Sequence, residues 1–129
     1  MARTPATSAA TTSSMSSHDL ISSERVEGTA VYNDAGEKLG SIDHLMIDKL
    51  SGQVRYAVLE FGGILGIGTD KYPLPWDTLH YDVGLDGYVV DVDKEQLKNA
   101  PRYPEDRSPE YTPEFGRTVY DYYSIPWYL

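Results

Sequence analysis

The chain has 129 residues, a formal net charge of −9 at pH 7 and no cysteine. This acidity argues against binding to nucleic acid or to anionic lipid, because both present negative phosphates. The absence of cysteine excludes disulfides and thiolate metal sites. No apolar run approaches the roughly 18 residues that span a bilayer, so we expect a cytoplasmic protein without membrane insertion.

Residues 1–23 are dominated by Ser, Thr and Ala, with almost no large apolar side chain before Leu20. Such a segment cannot bury enough surface to offset the entropy of ordering it. It also lacks the apolar block of a secretory signal. The composition therefore predicts a disordered N-terminal tail, followed by a folded domain over residues 24–103.

Short strand-like runs separated by turn residues begin this domain. A first strand is predicted over Arg25–Tyr32, and the turn that follows contains Gly36, which accepts a positive φ. A second strand is predicted over Lys38–Asp48. Its apolar phase shifts near Asp43, which indicates a β-bulge at that point.

A third strand is predicted over Gln53–Phe61, after a hairpin turn at Gly52. It is apolar on both faces, which is typical of a strand buried in a closed barrel. The next strand, Lys71–Trp76, is interrupted by Pro73 and Pro75. Because proline cannot donate to a ladder, this strand is predicted to lie at an edge or a bulge.

The last two strands are predicted over Leu79–Val83 and Tyr88–Val92. One or two helical turns over residues 93–99 follow, with Asp91 or Asp93 as the N-cap. Several short strands at this spacing indicate a small barrel or sandwich.

Residues 104–129 are rich in proline and aromatic side chains and show no clear helical or strand period. We interpret them as an extended arm laid across the barrel. A barrel of about 75 residues is short of core, so the arm is expected to pack on its own barrel. Exchange with a second subunit is the alternative. Since Tyr and Trp dominate interface hot spots, the predicted contact residues are Tyr120, Tyr122, Tyr123 and Trp127.

Several blocks of the sequence together resemble a PRC-barrel domain. They are residues 34–48, 51–58, 62–68, 73–79 and 88–97, and the resemblance covers about residues 25–103. It implies a small antiparallel β-barrel with a structural signature at Gly36, Gly40, Asp48, Gly52 and Pro75.

That family includes the cytoplasmic domain of the photosynthetic reaction-centre H subunit. It also includes the C-terminal domain of a ribosome-maturation factor, which binds a ribosomal protein, and many stand-alone bacterial and archaeal members. The resemblance implies a binding barrel with no shared catalytic residues.

The Gly62–Gly68 loop lacks the pattern and the following helix of a phosphate-binding loop. Its apolar residues are costly to expose, so they are expected to pack against something, a second subunit being one possibility. Trp76, after the two prolines, is expected to pack at the barrel rim, with partner or ligand contact as the alternative. The predicted interaction residues here are Ile64, Leu65, Ile67 and Trp76.

No catalytic site, metal site or cofactor is predicted. The three histidines, His18, His44 and His80, lack the spacing of a zinc site. Four aspartates near one hairpin are better explained by turn formation and capping than by weak calcium binding. They are Asp82, Asp86, Asp91 and Asp93. We find no nucleophile–base pair in a recognised motif.

The sequence therefore predicts a mainly all-β protein: a small antiparallel PRC-type barrel with a short helix and an extended aromatic arm. Its expected function is that of a non-enzymatic protein–protein interaction module, homodimeric and of unassigned pathway. The alternative is a barrel that binds a small ligand or cofactor, linked to stress or redox physiology. An enzyme is a third class, which would need a pocket of carboxylates with raised pKa.

Overall fold

The computed structural model describes residues 20–61 and 70–127. As predicted, this part of the chain is mainly β, with six strands and three α-helices. The strands are β1 (Ala30–Tyr32), β2 (Lys38–Ile47), β3 (Val54–Glu60), β4 (Lys71–Pro75), β5 (Leu79–Asp82) and β6 (Gly87–Val90). The helices are α1 (Ser23–Val26), α2 (Lys94–Lys98) and α3 (Pro113–Tyr122).

The six strands form one sheet in the order β4-β3-β2-β1-β6-β5. All neighbours are antiparallel except β1 and β6, which run parallel with Val31 opposite Tyr88. The expectation of a wholly antiparallel barrel is corrected for this pair, and the sheet is mixed. β1 and β6 are neighbours in the sheet but lie far apart in the sequence. Local sequence patterns do not specify such a pairing.

The two outer strands of this sheet, β4 and β5, are consecutive along the chain. Only a 3-10 turn, Trp76–Thr78, separates the end of β4 at Pro75 from the start of β5 at Leu79. A flat sheet of six strands would place its edges roughly 24 Å apart, whereas four residues of chain reach at most about 14 Å. The sheet must therefore curl strongly into an incomplete barrel, although β4 and β5 do not pair with each other in the described residues.

The inside of the curled sheet is filled with apolar side chains. All of them come from the strands or from residues next to the strands, and each is at most 1% exposed. They are Val31, Leu39, Ile42, Ala57, Leu59, Phe61, Tyr72, Leu74 and Val90. The core is thus a packed interior, as expected for so small a barrel.

β2 contains the predicted bulge. Its pairing register with β3 shifts between Ile42 and His44, so that Asp43 is the extra residue. The bulge explains why the apolar phase of this strand changes. It also leaves the Asp43 side chain within hydrogen-bonding distance of Lys71 on β4.

The predicted first strand starts too early and needs correction. Residues 23–26 form α1, because the Ser22 hydroxyl caps it by accepting a hydrogen bond from the Glu24 N–H. Gly28, at φ 84°, then turns the chain towards β2, and its N–H donates to the Ile42 carbonyl. The tail predicted over residues 1–23 lies outside the described residues up to residue 19.

The predicted helix over residues 93–99 is confirmed as α2. Of the two candidate N-caps, Asp93 has this role: its carboxylate accepts a hydrogen bond from the Gln96 N–H at 2.7 Å.

The prediction of an extended arm is wrong for residues 113–122, which form α3. Thr112 caps this helix by accepting a hydrogen bond from the Phe115 N–H, and Pro113 begins it. Val119, Tyr120 and Tyr123 are buried against the barrel. The spacing of these three residues gives the helix one apolar face, and burial of that face stabilises it.

Candidate interaction surfaces

Aromatic side chains hold α3 on the barrel. Tyr120 is fully buried, and its hydroxyl donates a hydrogen bond to the Arg55 carbonyl of β3 at 2.6 Å. Its ring meets Tyr56 and Trp127 edge to face, with centroids 5.6 and 5.0 Å away. Such pairs add to the area that the rings bury, so α3 is joined to β3 by packing and by one hydrogen bond.

The other predicted arm residues also contact the same chain. The Tyr122 hydroxyl donates to the Gln96 carbonyl and so ties α3 to α2, while Tyr123 is buried at the end of α3. The Trp127 indole lies against Gly116, where any Cβ would overlap the ring. The structure thus places all these side chains against their own protomer, and contact with a partner stays a prediction.

Four buried polar atoms around α3 have no hydrogen-bond partner in the described part of the chain. Burial raises the pKa of Tyr56 to about 12, and burial also raises the pKa of Tyr123. The four are the hydroxyls of Tyr56, Tyr72 and Tyr123 and the indole N–H of Trp127. An unpaired buried group costs about 1–3 kcal/mol, so the buried ring area must offset the cost of these four groups.

Three of the five signature residues form turns. Gly36 and Gly52 have φ of 85° and 78°, a region that L side chains avoid. The Asp48 carboxylate accepts hydrogen bonds from the N–H groups of Leu50 and Ser51, both at 2.9 Å. The backbone bonds from Ser51 and Leu50 hold the pKa of Asp48 below its usual value. These residues therefore shape the hairpins.

The other two signature residues, Gly40 and Pro75, serve the sheet itself. Gly40 faces β3 so closely that a Cβ would overlap the Glu60 carbonyl and the Phe61 ring. Pro75 ends β4, and its carbonyl accepts the Thr78 hydroxyl at 2.8 Å. Close packing of β2 on β3 therefore explains Gly40, whereas Pro75 marks the end of β4.

The outer edge of β4 is closed. Lys71 exchanges two backbone hydrogen bonds with Tyr103, at 2.8 and 3.0 Å, on the side away from β3. Alternate residues of an antiparallel strand point the same way, so Pro73 and Pro75 also face outward. Since proline has no N–H, this edge offers no free backbone donor within the described residues. The prediction that β4 is an edge strand is confirmed.

The outer edge of β5 is open. β5 contains no proline and, in the described part of the chain, pairs only with β6. The Leu79 N–H donates to the Trp76 carbonyl and so faces away from β6. Tyr81 lies two residues further on, and its backbone N–H and carbonyl therefore face outward as well.

Exposed apolar side chains gather at this open edge. Ile21 and Tyr81 line one open cavity of about 290 Å³, together with Arg25, Glu27 and Asp86. We call four residues the edge patch: Ile21 (43% exposed), Tyr81 (45%), Val83 (60%) and Leu85 (40%). Sequence reasoning missed this patch. Val83 was predicted to end a strand, and nothing local to Val83 or Leu85 indicates that this strand lies outermost in the sheet.

Lys71 is a buried cation, only 7% exposed, and no sequence pattern predicted its burial. Its Nζ lies 3.2 Å from an Asp43 oxygen and 2.8 Å from a Glu60 oxygen. Burial alone would raise the pKa of Asp43, but hydrogen bonds from His44 and Lys71 outweigh it and lower that pKa. The cluster joins β2, β3 and β4.

Trp76 lies in the turn between β4 and β5, and its ring packs edge to face on Tyr88 at 5.5 Å. The other predicted loop residues, Ile64, Leu65 and Ile67, lie outside the described residues. Their contact with a partner stays a prediction.

The aspartates near the β5–β6 hairpin have local roles. Asp82 accepts a hydrogen bond from the Leu85 N–H at 3.0 Å, and Asp86 accepts one from the Tyr81 hydroxyl. A hydrogen bond to Asp91 raises the pKa of the exposed Asp34 carboxyl. Within residues 20–61 and 70–127, no group of three or more His, Asp or Glu is placed to hold a metal ion.

No helix in the described part of the chain combines the length and the hydropathy needed to cross a bilayer.

The comparison with curated proteins found no match. Among solved structures, the chain is similar to a 16S ribosomal RNA processing protein, RimM, from Pseudomonas aeruginosa. The identity is 21% and the TM-score 0.40, over 62% of this chain and 48% of that one; this chain thus spans about half of that protein. A family model for the PRC-barrel domain matches residues 18–97, which contain all six strands. The chain therefore belongs to the PRC-barrel domain family.

Proposed function

We propose that this protein is a non-enzymatic protein–protein interaction module that works as a homodimer in the cytoplasm. The observation that carries the proposal is the filled barrel. Its interior side chains are at most 1% exposed, so the surface available for binding is the outside of the sheet.

The open edge of β5 supports the same function. Soluble proteins seldom expose grouped apolar side chains without a use for them, and such groups mark interaction sites. The edge patch places four of them beside unpaired backbone. An exposed strand edge is also a template for pairing with another chain.

A barrel that binds a small ligand has weaker support. Ligand sites in barrels use an internal cavity or mouth, and here apolar side chains fill that space. A cavity of about 430 Å³, lined by residues 33–35, 91–93 and 96, is open to solvent.

Sedimentation velocity of the full chain tests the proposal over a range of micromolar concentrations. We expect a species of twice the 14.4 kDa protomer mass, with a fraction that falls on dilution. A single protomer-sized species at every concentration would overturn the homodimer.

A further inference from the structure

We propose that two copies join through β5, with the two strands antiparallel and Tyr81 opposite Tyr81 of the partner subunit. The pairing extends each six-stranded sheet into its neighbour. This inference rests on the proposed homodimer and names the surface that forms it. It follows from the backbone of the two edges, the side chains around β5 and the local charge.

The backbone leaves β5 as the only edge in the described residues that can accept another strand. β4 has lost its outward donors to Pro73, Pro75 and the pairing of Lys71 with Tyr103. β5 keeps the outward N–H and carbonyl of Tyr81. In an antiparallel pair centred on Tyr81, the two residues exchange both hydrogen bonds.

One open edge per chain also decides the symmetry. If both edges were open, β4 of one copy would pair with β5 of the next, and head-to-tail contacts of this kind grow into filaments. Because β4 is closed, a copy can meet another only edge to like edge. That contact has a two-fold axis and stops at a dimer.

The edge patch supplies the apolar part of the contact. A two-fold axis near Tyr81 brings each patch against its counterpart, so that Val83 of one copy lies near Leu79 of the other in the strand register. Val83 is 60% exposed, and burying it removes apolar area from water. Tyr81 is already held by its ring contact with Tyr88 at 5.3 Å, so little side-chain freedom is lost.

The charges at this edge fit a second copy of an acidic chain. At a net charge of −9, two copies repel each other over most of their surface. Around the edge patch, however, Arg25, Glu27 and Asp86 all line the open cavity that Ile21 and Tyr81 share. Both signs are present, so a two-fold axis can place Arg25 of each copy beside an acid of the other.

Substitutions in the full chain test the inference, with sedimentation velocity as the readout. Tyr81→Pro removes the outward N–H without touching the ladder to β6, as Pro73 and Pro75 do in β4. Val83→Lys places a charge in the contact. We expect each variant to raise the dimer dissociation constant by at least about tenfold. The matched control is Leu50→Lys, the same change at an exposed residue of another hairpin, which should leave the dimer intact.

A dimer unaffected by Val83→Lys would overturn β5 pairing while leaving the homodimer standing. A wild-type monomer would overturn both. If Tyr81→Pro alters the far-ultraviolet circular dichroism, Val83→Lys decides the question. Hydrogen exchange adds a second readout: the Tyr81 amide should exchange more slowly in the dimer than in the Val83→Lys variant. If the wild type is dimeric but its Tyr81 amide exchanges at the same rate as in the Val83→Lys variant, the pairing is contradicted.

Discussion

The two edges of the sheet are built from opposite chemistry, although they follow each other directly in the sequence. Every residue of β4 is buried, and its outer backbone is occupied by Tyr103 or lacks donors. In β5 only Leu79 is buried. The side of the molecule near β4 also carries α3, whereas the side near β5 carries the edge patch.

The difference shows how one short sheet can separate stability from binding. Closing an edge prevents unwanted pairing, and covering it with a helix adds core to a barrel that has little. The other edge is left free to meet a partner. We therefore expect substitutions near β4 to lower the free energy of unfolding, and those near β5 to change assembly with little effect on folding.

The largest expected effect is that of deleting residues 104–129. Val119, Tyr120 and Tyr123 leave the core, and each fully buried side chain of this size contributes about 1.5–3 kcal/mol. We expect the melting temperature, measured by calorimetry, to fall by at least about 10 °C. Replacing both Val83 and Leu85 by Ser, on the β5 side, should shift it far less. An unchanged melting temperature after truncation would make the arm a passive tail.

Within the strands, Leu74→Ala should be the most damaging single substitution of this set. Leu74 is fully buried, and emptying such a site costs about 3 kcal/mol. Val83→Ala, at an exposed residue beside β5, should change the free energy of unfolding by less than about 0.5 kcal/mol. Urea titration measures both. Equal costs would remove the contrast between the two edges.

Lys71→Met should cost about 2 kcal/mol near pH 7, because it leaves Asp43 and Glu60 without their shared charged donor. The cost depends on pH. The pKa of Asp43 is lowered from 3.8 in the folded protein. Its contribution is therefore full above that value and is lost as the pH falls through the folded pKa.

Urea titrations from pH 7 to pH 3 check this prediction, and the gap between wild type and variant should narrow at the acid end. Lys94→Met is the control, since its ion pair with Glu37 is exposed, and solvent screening should leave the pair with little effect on stability. A gap that stays constant down to pH 3 would show that Lys71 acts through packing alone.

The smallest effect is expected from a pair of Tyr→Phe substitutions beneath α3. Tyr56 has an unpaired buried hydroxyl, so Tyr56→Phe should leave stability unchanged or raise it by up to about 1 kcal/mol. Tyr120→Phe removes the hydrogen bond to Arg55 and should cost about 1 kcal/mol. Urea titration at pH 7 separates the two. A loss in Tyr56→Phe equal to that in Tyr120→Phe would show that the Tyr56 hydroxyl has a partner.

Stability at alkaline pH provides a second test of the Tyr56 hydroxyl. The pKa of Tyr56 is about 12 in the folded protein against 10 for a free phenol. Its contribution is therefore full below pH 10 and lost as the pH rises from 10 towards 12. Stability measured at pH 10 and above should fall less steeply in Tyr56→Phe than in the wild type.

Features set by neighbouring residues were predictable from the sequence. Alternation of apolar side chains located β2 and β3, the phase shift near Asp43 located the bulge, and Pro73 with Pro75 located an edge strand. Each depends on residues only a few positions apart. The signal for α3 was also local, since Thr112-Pro113 is a strong helix start, but the many aromatics and prolines masked it.

Features set by strand order were not predictable. The parallel contact of β1 with β6 joins residues 57 positions apart, Val31 and Tyr88. The burial of Lys71 needs β2, β3 and β4 side by side. The edge patch is visible only once β5 is known to be outermost and Ile21 is known to lie next to Tyr81.

The two prolines of β4 have a consequence for folding as well. A slip of one residue in the alignment of β4 with β3 would turn Pro73 and Pro75 inward, where the ladder needs an N–H from each. The misaligned hairpin would lack two hydrogen bonds at once. The two prolines that leave the outer edge of β4 without donors therefore also disfavour the wrong alignment of β4 with β3.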